Sequence, residues 1–153
     1  MKKITEIKFI WFQTKICYRI LVTNSILKDM GVVENNVRNF CSTEKDTIFH
    51  FMCQCEHTQI FWVRFEMCLK EKSFNCARSS TNPTLILFGH DGNTTPDEGF
   101  DFILLHAKFF MYKCRLNKLK PTLEAFIDNL KHIYEVDKHV HLMVMTYEKF
   151  DKK

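Results

Sequence analysis

Cysteine and histidine gather in one stretch of this chain in a pattern that suggests chemistry. Cys41 is followed by eight residues, then His50, four residues and Cys55. Structural zinc takes four nitrogen or sulfur ligands in a tetrahedron. A cysteine in a loop, a histidine on the next helix and a cysteine just past that helix can converge on one ion. Three ligands leave the shell open. A zinc-binding loop normally supplies its first two as C-x2-C, which places a cysteine at position 38, and that position is Arg38. On α-helical winding Cys53 lies on the face of His50 and can take the fourth place. His57 is a further candidate. The competing reading is a set of helix and loop residues with incidental thiols.

The elements that position these residues are helical. The chain has 153 residues, 46% of them hydrophobic and 26% charged, with 15 phenylalanines but only 4 glycines and 3 prolines. This is the composition of one globular domain with few chain breakers. Residues 4–21 carry a helical period, with Ile7, Ile10, Trp11, Thr14, Cys17, Tyr18 and Leu21 on one stripe. Thr23 or Asn24 can cap a short helix over Ser25 to Met30, stopped by Gly31. The stretch 32–40 is polar and irregular. Asp46 or Thr47 can cap a helix through His50 and Met52. Another covers His57 to Lys70 with Ile60, Phe61, Phe65 and Cys68 inward. A linker over 71–82 follows, then an apolar run from Leu85 to Phe88 that suits a strand or a helical turn. Residues 90–99 read as loop.

The strongest helix is Phe100 to Leu116. Phe100, Ile103, Leu104, Ala107, Phe110, Met111 and Cys114 form one apolar stripe; Phe102, Leu105, Phe109, Tyr112 and Leu116 form a second. A helix apolar on two stripes belongs at the centre. Pro121 suits the first turn of a last helix whose inward residues are Leu123, Phe126, Ile127, Leu130 and Tyr134. The expected fold is therefore mainly α, a small helical domain of five or six helices with a Cys/His knuckle inserted as loop and helix. It forms a single domain over 1–153, in which 83–153 packs as a helical tail on 1–70.

Phe9 to Val33 followed by Cys41 to Trp62 resembles the zinc-binding region that follows the polymerase in non-LTR retrotransposon reverse transcriptases. Met30-Gly31, Cys41, Asp46-Thr47, His50-Phe51, Cys55 and Phe61-Trp62 match that family's order of motifs. Leu85 to Gly89, Phe102 to Arg115 and Pro121 to Phe126 resemble the tail of the same polyproteins. The resemblance covers most of the chain. It implies zinc as cofactor, Cys41, His50 and Cys55 as inherited ligands, and a role in holding template RNA or target DNA. Arg38 stands where the family has its first cysteine.

Charge and thiol usage set the remaining bounds. The net charge is +4, weakly basic, which permits contact with nucleic acid without demanding it. Lys8, Lys15 and Arg19 near one end and Lys113 and Arg115 near the other are the expected phosphate contacts, with Lys2, Lys3, Lys118 and Lys120 nearby; the plainer account is solvated helix faces. Seven scattered cysteines suit reduced thiols, hence an intracellular setting, cytoplasmic or nuclear. No run of residues reads as a secretory signal or a membrane span.

Nothing resembles polymerase carboxylates or an endonuclease, and no Cys–His or Asp–Lys arrangement marks a catalytic centre. No enzymatic activity is therefore expected. His132, His139 and His141 lack i, i+4 spacing and read as surface residues. The expected function is a non-catalytic nucleic-acid-binding accessory domain. The alternative is a retroelement remnant acting only as a protein-interaction fold, which predicts exposed aromatic surface and self-association.

Overall fold

Small polar side chains start four helical segments. Thr23 Oγ1 accepts from the Ile26 N–H at 3.5 Å, Thr47 Oγ1 from His50 at 3.1 Å, Asn82 Oδ1 from Thr84 at 2.9 Å and Thr122 Oγ1 from Ala125 at 3.3 Å. Each satisfies an amide that the first helical turn leaves without a partner. The computed structural model describes residues 2–34, 46–71, 82–89 and 98–150. Among them are six α-helices: α1 (Lys2–Cys17), α2 (Asn24–Asp29), α3 (Glu56–Glu71), α4 (Pro83–Phe88), α5 (Glu98–Leu116) and α6 (Leu123–Phe150). A π-helical turn, His50–Gln54, precedes α3. The described residues contain no strand, so the mainly α expectation stands. Arg38 and Cys41 lie outside the described residues, as do most of the expected linker and loop.

Glycine stops two of the short helices. Gly31 and Gly89 take φ of 72° and 87° after α2 and α4, the left-handed conformation that glycine adopts without strain. Arg19 and Lys118 reach the same region, each at φ 57°, after α1 and α5. There Ile20 N–H bonds Lys15 O at 2.9 Å, and Leu119 N–H bonds Cys114 O at 2.8 Å. Both positions are basic, which suits the negative end of a helix dipole.

α5 is central, with α1 on one side and α6 on another; α1 also meets α4, and the π-turn lies between α3 and α4. The core is aromatic. Phe61, Trp62, Phe65, Phe110 and Phe126 pack with ring centroids 5.4 to 6.3 Å apart, largely edge to face as their quadrupoles favour. Trp62 Nε1 donates to Met52 O at 2.8 Å, so the one polar atom of that ring is satisfied and the π-turn is fixed to α3.

Three expectations are corrected. α1 is a helix, but its buried residues are Phe9, Phe12 and Ile16, joined by Leu21 in the following turn, while Ile7, Ile10, Trp11 and Tyr18 face solvent. Both faces are apolar, so periodicity alone could not choose. The Phe face wins because its rings meet α5: Phe9 and Phe12 pack edge to face on Phe109 at 5.3 and 5.1 Å. In α3, Trp62 and Leu69 replace Ile60 and Cys68 as core residues; Ile60 is exposed. In α6, Pro121 precedes the helix, whose cap is Thr122, and Tyr134 is exposed rather than inward.

The α5 stripe from Phe100 to Cys114 is buried nearly as expected. Leu85 to Phe88 is a helix, not a strand.

Candidate metal turn and nucleic-acid interface

The segment from Asp46 to Cys55 is built around a carboxylate that the sequence suggested only as a helix cap. Asp46 is fully buried. Its Oδ2 accepts from the Asn24 N–H at 2.8 Å, in the first turn of α2, while Thr47 serves the turn that follows. Both carboxylate oxygens also take Arg115 of α5, through Nε at 3.3 Å and through Nη2. This buried pair ties α2, the π-turn and the end of α5 together.

Arg115 is therefore corrected as a phosphate contact. It is 5% exposed, and its fork is engaged by Asp46, the bidentate geometry that guanidinium suits.

The winding of the π-turn decides which thiols can share a site with His50. Cys55 N–H bonds His50 O at 2.9 Å, an i→i+5 bond. A turn closed by i→i+5 bonds winds more widely than an α-helix. The α-helical register that put Cys53 on the face of His50 does not apply to such a turn. Cys53 instead joins the hydrophobic core, where burial pushes its thiol up to about 12 despite the nearby Lys108. His50 and Cys55 stand at the two ends of the turn, both buried, and they are chemically suited to zinc as imidazole and thiol. Among the described residues no group of three or more His, Cys, Asp or Glu side chains is arranged to hold a metal, and Cys41 is not among those residues. The described cysteines, Cys17, Cys53, Cys55, Cys68 and Cys114, form no disulfide.

The basic residues are placed on α1 and α5. Lys8 and Lys113, from different helices, approach the same ring, with Nζ 4.8 and 5.2 Å from the Phe109 centroid. Each such contact is worth roughly 0.5–1 kcal/mol at an exposed site. Both lysines are exposed, as is Lys15. Arg19 is exposed and lines an apolar cleft of about 410 Å³ with Ile16, Ile48, Phe49 and Leu87. The structure thus brings Lys8 and Lys113 together, leaves Lys15 on α1 and Arg19 in the turn just past it, and removes Arg115.

Two features went unread in the sequence. Lys108 is 2% exposed and donates to Gln13 Oε1, while Gln13 Nε2 donates to Leu87 O at 2.7 Å. Burial lowers its pKa to about 8, against the opposing influence of Cys17, Asp101 and Cys53. Its position four after Leu104 and three before Met111, on the buried stripe, was the available signal. The second is Phe109, counted only as part of a stripe, which serves as the ring that two lysines share.

Compared with protein-family models, with curated proteins and with solved structures, this chain has no match in any of the three.

Proposed function

We propose that this chain is a non-catalytic nucleic-acid-binding accessory domain, of the kind its sequence resembles, with zinc bracing the segment ahead of α3. The convergence of Lys8 and Lys113 on Phe109 carries the reading. Cations from two helices beside an aromatic ring are the parts that grip a phosphate backbone. In this reading Lys15 on α1 and Arg19 just beyond its end extend the basic surface. A salt titration tests it. RNA and DNA should bind at low salt, Lys8→Ala with Lys113→Ala should weaken both, and affinity should fall steeply as salt rises. No binding of either at low salt would sink the proposal.

Cys41, His50 and Cys55 are the residues assigned to zinc. Zinc there supplies folding energy rather than reactivity. His50→Ala should lower the thermal midpoint of zinc-loaded protein by more than that of metal-free protein. Equal losses in both forms would make His50 a packing residue only. Metal content per chain, with Cys41→Ser as control, gives the occupancy.

A second reading, a protein-interaction fold without nucleic-acid binding, is favoured by Ile60, Val63 and Met67, which lie exposed on one side of α3. Under it the salt titration shows no nucleic-acid binding while sedimentation shows concentration-dependent association.

A further inference from the structure

α1 has an outward line as regular as its inward one. Lys8, Trp11, Lys15 and Tyr18 follow each other at steps of three, four and three residues, the spacing that aligns side chains along one side of a helix. All four are exposed, Trp11 at 62% and Tyr18 at 74%. Packing does not require the two rings there, because Phe9, Phe12 and Ile16 supply the contacts to the core. Ile7 and Ile10 lie exposed beside the line. From residue 7 to residue 22 the chain contains no aspartate or glutamate. This stretch therefore offers rings and positive charge in alternation, with no acid of its own between them.

We propose that this line binds single-stranded nucleic acid, with Trp11 and Tyr18 as stacking platforms and Lys8 and Lys15 as phosphate contacts. The proposal rests on the nucleic-acid reading above and narrows it to unpaired strands. Charge complementarity selects a polyanion. The rings select the kind. A helix that reads a duplex directs Arg, Asn or Gln at base edges, and this line has aromatic rings in those places. In a duplex the faces of the bases are covered by their neighbours, whereas an unpaired base offers its face to a ring regardless of sequence. Trp11 and Tyr18 are seven residues apart, about 10 Å along the helix axis. Stacked bases rise only about 3.4 Å, so the two rings engage two bases of an opened strand rather than a continuous stack.

The chain reports on this site directly. It has two tryptophans; Trp62 is 1% exposed with its Nε1 bonded to Met52 O, which leaves Trp11 as the residue an added strand can reach. Full-length protein is titrated at low salt with an oligothymidylate single strand and, separately, with a duplex of equal length. The single strand should quench tryptophan emission and bind more tightly than the duplex. Trp11→Ala and Tyr18→Ala should each weaken single-strand binding by about 5- to 150-fold with little effect on the duplex. Lys8→Ala and Lys15→Ala should each make the salt slope shallower by about 0.7. Single-strand binding that survives both aromatic substitutions overturns the assignment while leaving a nucleic-acid function standing elsewhere. Absence of binding to either oligonucleotide overturns both. Trp11 quenching that depends on protein concentration alone makes this face a contact between copies and overturns it as well.

Discussion

Lys108 occupies a position where a charge is costly. It is buried among core residues, with its ammonium on Gln13 and its pKa lowered to about 8 by desolvation. In the unfolded chain the same lysine keeps its ordinary 10.5. Between these values the unfolded state binds the proton that the folded state has released, so stability rises with pH across that window and is flat below it. The whole step is roughly 3 kcal/mol. Lys108→Met removes the titrating group and fills similar volume. Urea unfolding of both proteins from pH 7 to pH 10 should show the parent gaining on the variant as pH rises. Parallel profiles would mean that Lys108 is solvated in the folded state. Asp46 and Arg115 take the opposite course at the same scale: two buried charges satisfy each other, and removing either partner from such a pair costs roughly 3–5 kcal/mol.

At the scale of the element, α1 is the helix on which the whole reading turns, since its two faces exchange roles relative to expectation. Phe12→Ala should cost about 3–5 kcal/mol, the range for losing a buried aromatic side chain. Trp11→Ala should change stability by less than about 0.5 kcal/mol, as surface substitutions do. Chemical denaturation of the two variants measures the difference, and similar losses would return Trp11 to the core. The reason for the exchange bears on what a sequence can reveal. On α5 the stripe of Phe100, Leu104, Ala107 and Met111 was legible because apolar residues recur there at steps of four, three and four. On α1 apolar residues occur all round, and only the rings of α5 distinguish Phe9 and Phe12 from Ile10 and Trp11. The caps at Thr23 and the stop at Gly31 were legible because they act within a few residues of chain. The π-turn was not, because spacing rules assume α-helical winding, and this misplaced Cys53 relative to His50. The basic residues were legible as charge but not as burial: Arg115 and Lys108 differ from Lys113 only in which way the helix turns them.

Across the whole molecule, contacts join parts of the chain that are far apart in sequence. Asp46 meets Arg115 across 69 residues, and Gln13 meets Lys108 across 95. The aromatic core is shared in the same way, since Phe61 and Phe65 of α3 need Phe110 of α5 and Phe126 of α6 to be covered. During synthesis, at about 5–20 residues per second, Arg115 is added roughly 3 to 14 s after Asp46. For that interval the nascent chain carries a carboxylate awaiting its guanidinium and a cluster of large rings awaiting their cover. The later half of these contacts thus sets the moment at which the earlier half can be covered.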